Sequence, residues 1–294
     1  MAVFVSQLFL LIQYILPKRL ITTLVYRLTR IRVRAIKDLL IRSFLKTYMV
    51  NLDEVQKSAP DEFVSFNDFF TRELKSDSRP IDSSASSIVS PADGFISAAG
   101  HIEKNFVLQA KGLDYSLEDL LATDLDEARS YYDGSFATIY LAPFNYHRVH
   151  APIAGELVAA RFVPGTLFSV NQMTVSNLRG LFVRNERLIC HFRTAAGPYV
   201  LIFVGAMNVG SITTPWTGEL RPRKGNVVEN IDLRRATASR SVDKGDLLGW
   251  FNMGSTVILL LPPHVCEWRS ELSSGDALRM GEAIGQIVVS PDYS

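Results

Sequence analysis

Cysteine is scarce in this sequence: Cys190 and Cys266 are the two thiols in 294 residues. They make no disulfide framework, and a reducing compartment is the simplest setting for such a chain. Cys190, inside the apolar run Leu188-Ile189-Cys190-His191-Phe192, reads as a small buried hydrophobe. A long apolar run is also missing. Residues 2–16 are apolar but end at Pro17, short of the roughly 20 residues that span a bilayer. The charges Lys18 and Arg19 follow this run instead of preceding it, which argues against a cleaved signal peptide. No His-Glu-x-x-His pattern or cysteine pair marks a metal site, so no metal is expected. A Gly-x-Ser-x-Gly elbow is absent too. Acid is nearly missing from residues 1–50, which carry nine Lys or Arg and only Asp38. The formal net charge of +1 therefore hides a mildly acidic remainder, which argues against a nucleic-acid partner.

What is present describes a folded protein: 47% of residues are hydrophobic and 21% charged. The length allows one large or two modest domains. Residues 18–48 have helical periodicity, with Arg27, Arg30, Arg34 and Lys37 on one face and Val25, Leu28, Ile36 and Leu39 on the other. A basic face opposite an apolar one describes a helix lying on an anionic membrane surface. Residues 1–50 are accordingly read as amphipathic membrane-associating helices, and residues 51–294 as the body.

The body reads as β-rich, apart from short amphipathic pieces at Phe66–Leu74 and Ser116–Leu121. Strands are expected at Phe136–Leu141, Gly155–Val163, Leu188–Phe192, Tyr199–Val204, Asn208–Ile212, Gly218–Leu220, Val257–Leu261 and Ala283–Val289. Lys244–Phe251 reads as a tight turn entering a strand. The fold class is α+β, mainly β, with a β-sandwich or barrel-like catalytic domain behind N-terminal helices.

Three segments carry candidate chemistry. Phe251-Asn252-Met253-Gly254-Ser255-Thr256 places a hydroxyl after a residue with no side chain. Ser255 could thus attack the peptide carbonyl in front of it. Tyr146-His147-Arg148-Val149-His150 holds two of the five histidines, which would face one way on a helical turn. Ser90-Pro91-Ala92-Asp93-Gly94 offers a carboxylate that either shapes a turn or orients a histidine base. Spacing alone does not bring the three together.

Further motifs join these. They are Phe66-Asn67-Asp68-Phe69-Phe70-Thr71-Arg72-Glu73-Leu74-Lys75, Arg79-Pro80-Ile81, Pro164-Gly165-Thr166-Leu167-Phe168-Ser169-Val170-Asn171 and Phe182-Val183-Arg184-Asn185-Glu186-Arg187. With them, the chain from about residue 60 to 290 resembles the phosphatidylserine decarboxylases, and most of all their bacterial proenzyme, which carries amphipathic N-terminal helices. The resemblance implies a pyruvoyl enzyme of phospholipid biosynthesis. Ser255 would attack the Gly254 carbonyl, and elimination would part a β chain, 1–254, from an α chain, 255–294. Ser255 would become the covalent pyruvoyl group, which forms a Schiff base with the amine of phosphatidylserine. By motif position His150 is the base for self-cleavage and Asp93 its orienting carboxylate. His147 would assist decarboxylation and protonate the product, phosphatidylethanolamine. The resemblance further implies that the two chains stay associated, that the enzyme is a homo-oligomer, a dimer, and that it lies peripherally on the cytoplasmic side of the inner membrane.

One departure is Asn145, where the family commonly has Asp two residues before the first histidine. A neutral amide can still orient by hydrogen bonding. Two rival classes stay open: a membrane-associated serine hydrolase using Ser255, His150 and Asp93, and a lipid-binding or carrier module suggested by the Lys244–Phe251 turn.

Overall fold

The computed structural model describes residues 2–110, 112–208, 211–223, 225 and 227–288, with side chains from residue 6. The chain opens with helices α1 (Ala2–Ile15), α2 (Lys18–Thr29) and α3 (Arg34–Thr47). Pro17 separates the first two, and the chain bends by 80° between Ser6–Ile15 and Lys18–Thr29. Proline has no N–H to continue a helix, so the break belongs there. A short helix α4 (Phe66–Phe70) is capped by Ser65, whose side chain accepts from Asp68 N. Phe63, Phe66, Phe69 and Phe70 bury themselves with Ile41 and Val55 in a small core against which Phe44 of α3 packs.

The 18–48 stretch is not one basic stripe. The helix ends at Thr29, and the chain turns before Arg34. Arg30 is spent on Glu219, 2.6 Å away, and Lys37 is buried, donating to Pro60 O at 2.9 Å. Arg27 and Arg34 stay exposed. Tertiary pairing therefore divides a charge pattern that periodicity alone joined.

Beyond the helices the fold is α+β and mainly β. A nine-stranded sheet contains the path Glu229–Asn230, Gly155–Val163, Arg187–Thr194, Gly197–Val204, Ser255–Leu261, Ser135–Leu141, Gly94–His101, Ala277–Leu278. A four-stranded sheet holds Gly218–Leu220, Ile212–Thr214, Leu247–Phe251 and Arg148–His150. The two pack face to face where Phe203 of the first meets Phe251 of the second, ring centres 5.4 Å apart. The strand Ser255–Leu261 runs through the middle of the large sheet, buried at every residue and paired on both sides. Its Val-Ile-Leu run suits a strand with both faces covered.

Most expected strands are present within a residue or two. Leu247–Phe251 does follow a turn. Gly94–His101 escaped the sequence reading because its Ala, Ser and Gly residues carry little hydrophobic pattern. Of Asn208–Ile212, residues 209 and 210 lie outside the described residues, as does Val289 of Ala283–Val289; the strands seen there are Ile212–Thr214 and Ala283–Ile287. The histidine segment is extended, not helical: Arg148–His150 is a strand paired with Leu247–Phe251. Residues three apart then point to opposite sides, so His147 and His150 have separate surroundings.

Candidate active site

Ser255 is the first residue of the central strand and is fully buried. Its Oγ has no hydrogen-bond partner among the described residues. A bound polar partner is what such a buried hydroxyl lacks. The chain before it is held tightly. Asn252 donates from its backbone N to Ser211 O at 3.0 Å, and from Nδ2 to Ser211 Oγ at 2.8 Å and Thr213 Oγ1 at 3.0 Å. Its Oδ1 accepts from Asn67 Nδ2 at 3.1 Å. The Gly254–Ser255 peptide thus sits between an anchored amide and a paired strand.

His147 faces this junction. A Cβ placed on Gly254 would lie 3.7 Å from His147 Nε2 and 3.6 Å from Leu141 O, so the glycine leaves the ring and the peptide in close approach. The ring packs on Phe70 with centroids 4.2 Å apart. Nδ1 lies 2.9 Å from Asn145 O; a carbonyl only accepts, so Nδ1 carries the proton and Nε2 offers its lone pair. Nε2 has no partner among the described residues. Burial, with Arg72 nearby, pushes the imidazole pKa down to about 3, and the ring stays neutral at physiological pH.

Arg72 holds this arrangement from behind. It is buried, and its Nη2 donates to Phe144 O at 2.7 Å and to Asn145 O at 3.1 Å, the same carbonyl that fixes His147. Asn145 uses its side-chain oxygen to accept from Ala142 N at 2.8 Å. The amide therefore shapes the turn, a duty an aspartate could perform equally.

His150 is differently engaged. Its Nδ1 donates to Gly245 O at 2.8 Å, and its Nε2 accepts from Tyr146 Oη, 3.1 Å away. Burial lowers its pKa as well, with Asp93 among the charges opposing that shift. The Asp93 carboxylate takes a forked ion pair from Arg79, 2.8 Å from Nε and 2.5 Å from Nη2, and accepts from Met280 N at 2.9 Å. Asp93 thus meets His150 through its charge, and the ring is oriented by the Gly245 carbonyl. The loop and the strand are joined by His150 N donating to Pro91 O at 2.7 Å.

A cavity of about 330 Å³ opens onto Gly254, walled by Phe44 and Tyr48 at the end of the α3 segment, Phe70, Tyr140, Ser169, Asn171 and the 206–208 segment. Aromatic walls with a few polar groups suit an amphiphilic ligand. No cluster of three or more metal-ligating side chains occurs among the described residues. Sequence reasoning assigned no role to Arg72, Arg79, Asn252 or Glu186. All four lie inside motifs it singled out, but only their side-chain partners reveal duties.

Known proteins resemble this chain along nearly its whole length. The phosphatidylserine decarboxylase family profile matches residues 66–286, and a profile described as PSD matches residues 8–49. The phosphatidylserine decarboxylase proenzyme of Psychrobacter arcticus is 46% identical over 277 residues, 94% of this chain and 97% of that one. Those of Azotobacter vinelandii and Nitrosococcus oceani are each 44% identical, covering 97% and 95% of this chain and 99% and 91% of their own. The family match and the relatives make this chain a decarboxylating enzyme, a carboxy-lyase. The chain belongs to the phosphatidylserine decarboxylase family, in its bacterial form.

Proposed function

We propose that this chain is a self-cleaving proenzyme whose mature form converts phosphatidylserine to phosphatidylethanolamine and carbon dioxide through a pyruvoyl group made from Ser255. The observation that carries the reading is a buried serine hydroxyl with no partner among the described residues, directly after a glycine that the neutral His147 imidazole approaches with an Nε2 likewise without a partner there. A serine hydroxyl is a weak nucleophile until a base takes its proton. Oγ then bonds to the Gly254 carbonyl carbon, the carbon–nitrogen bond breaks, and an ester replaces the amide. Loss of the Ser255 α-proton breaks the Cβ–Oγ bond and frees the Gly254 carboxylate. Water releases ammonia from the remaining enamine and leaves a ketone at residue 255.

The residues present fit that group. Position 255 is buried, and the cavity reaches Gly254. When in place, the group supplies an electron-withdrawing carbonyl that takes up the electrons left by carbon dioxide. Asp93, His150 and Ser255 form the self-cleavage set in this reading, with Asp93 acting on His150 by charge. His147 relays a proton from solvent to the product carbon in this reading, through the Nε2 lone pair that faces Gly254. A second reading has a specific observation behind it: Nε2 of His147 is free and faces Gly254, whereas Nε2 of His150 is occupied by Tyr146. In that reading His147 also takes the Ser255 proton.

After cleavage the two chains would stay together. The 255–294 piece contributes Ser255–Leu261 to the large sheet between two strands of the other piece, and its Ala283–Ile287 strand pairs with Ser87–Val89. The membrane reading rests on exposed Leu8, Leu11, Ile12 and Ile15 of α1 and Leu20, Leu24 and Leu28 of α2, with Arg27 beside them. No single helix among the described residues is long and apolar enough to cross a bilayer. In this reading the exposed apolar side chains of α1 and α2 hold the enzyme on the membrane surface, at the cytoplasmic side of the inner membrane.

Intact mass spectrometry tests the proposal. Purified protein should show two chains, 1–254 and 255–294, the second lacking its N-terminal amine, and Ser255→Ala should show one chain. A Ser255→Ala protein cut after residue 254, or an intact wild type that decarboxylates, would overturn it.

A further inference from the structure

A buried carboxyl lies in line with Ser255 and has no part in the chemistry described so far. Val257 pairs with Phe203, and Phe203 with Leu188, across three adjacent strands. Two residues along each strand, in the same register, come Ser255, Gly205 and Glu186. The last two are joined by Gly205 N donating to Glu186 O at 2.9 Å. Side chains alternate along strands, so Ser255 and Glu186 project from the face that carries Phe203. That face packs on the small sheet and its histidine segment.

Gly205 lets the carboxyl lean across. A Cβ on Gly205 would lie 2.9 Å from Glu186 Cγ and 3.2 Å from its Oε1, so any side chain there would push Glu186 away. Strand spacing of about 5 Å is all that then separates the space the carboxyl occupies from Ser255. Glu186 is 1% exposed, and neither its Oε2 nor the Ser255 Oγ has a hydrogen-bond partner among the described residues. Two buried polar atoms on one face of the sheet, each without a partner among the described residues, are costly unless used. The charged group acting on Glu186 is Arg19 of α2, which favours ionisation, but burial outweighs it and pushes the carboxyl pKa up to about 8. The polar neighbours Thr166 and Asn185 bring no charge.

We propose that Glu186 is a proton donor in self-cleavage, delivering its proton to the Ser255 nitrogen as the Gly254–Ser255 bond breaks. The histidine base removes the Oγ proton while Oγ bonds to the Gly254 carbonyl carbon. Glu186 gives its proton to the departing nitrogen and becomes a carboxylate. That carboxylate takes the Ser255 α-proton in the elimination step and is restored as the acid. The Gly254 carboxylate leaves ionised, and the base returns its proton to solvent. The inference rests on the self-cleavage reading above.

The test is processing of freshly translated full-length chain, followed on denaturing gels between about pH 6 and about pH 9. Wild type should slow as the pH rises through the titration of Glu186. Glu186→Gln, matched to Ser255→Ala in circular dichroism and melting temperature, should process about tenfold or more slowly. Glu186→Asp, which keeps a shorter acid, should recover part of the rate. Glu186→Gln processing at the wild-type rate with the wild-type pH profile overturns the proposal. Should that variant fail to fold, infrared spectra of the Ser255→Ala proenzyme decide: a protonated-carboxyl band that disappears near pH 8 supports it, and no such band overturns it. A wild type that never splits, or a Ser255→Ala chain that does, sinks the self-cleavage reading itself.

Discussion

Two histidines three residues apart differ here by one hydrogen bond. His147 has a free Nε2 beside Gly254, and His150 has its Nε2 on Tyr146. His150→Gln and Asp93→Asn are expected to block self-cleavage, and His147→Gln to leave more cleavage than decarboxylation. Gel analysis and product assay on the same preparations check this; a full processing block in His147→Gln assigns the serine's proton to His147 as well. Arg72 offers a sharper probe. Its charge opposes protonation of His147, so Arg72→Gln should raise the His147 pKa. The neutral ring is then lost at higher pH, and the acidic limb of the decarboxylation profile moves up. Arg72→Lys keeps the charge but not the Nη2 that reaches both Phe144 O and Asn145 O, and should shift the limb less. An unmoved limb in Arg72→Gln would mean that burial alone sets the ring's protonation.

At the scale of elements, the N-terminal helices do two things. They expose an apolar surface, and they help to build the site. Gln13 is buried, donating to Thr174 Oγ1 at 3.2 Å and accepting from Ser169 N at 2.8 Å, while Thr22 Oγ1 accepts from Asn208 N at 3.3 Å. Ser169 and Asn208 line the cavity, as does Phe44 of α3. Changing Leu20, Leu24 and Leu28 together to Glu should abolish flotation with anionic liposomes yet leave self-cleavage intact. Deleting residues 1–48 should lose both flotation and decarboxylation, because part of the cavity wall goes too. Flotation unchanged in the triple variant would move the membrane-binding surface elsewhere. The helical pattern of these residues was legible in the sequence. The break at residues 30–33 was not, because it depends on Glu219 and Pro60, far along the chain, drawing Arg30 and Lys37 inward.

For the whole molecule, the buried titratable groups impose a pH dependence on stability. His147 has its pKa lowered from 6.5 to about 3 on folding. The unfolded chain therefore binds more protons between those values. The stability contributed is fully present above pH 6.5 and is lost as the pH falls towards about 3. Glu186 has its pKa raised from 4.5 to about 8, and its contribution is present below 4.5 and lost as the pH rises through about 8. Above pH 6.5 the His147 contribution is constant, so denaturant unfolding of the Ser255→Ala proenzyme should show stability falling from about pH 7 to about pH 9 by an amount that Glu186→Gln in the same background reduces. Identical slopes in the two proteins would mean that Glu186 ionises normally in the fold.

The sequence by itself determined the mainly β architecture, because alternation and apolar runs at Ser135–Leu141, Gly155–Val163, Gly197–Val204 and Ser255–Leu261 are local properties of the chain. It also marked Gly254-Ser255 and the two histidines, since few residue types can attack a peptide or move a proton. Only the tertiary structure decided which groups meet. The histidine segment is a strand because Leu247–Phe251 pairs with it, and that pairing turns His147 and His150 apart. Asp93 answers to Arg79, Arg72 reaches the carbonyl that fixes His147, and Glu186 leans over Gly205 towards Ser255. Each of these contacts joins residues distant in sequence or on neighbouring strands. Their geometry follows from register and burial, which no local pattern encodes.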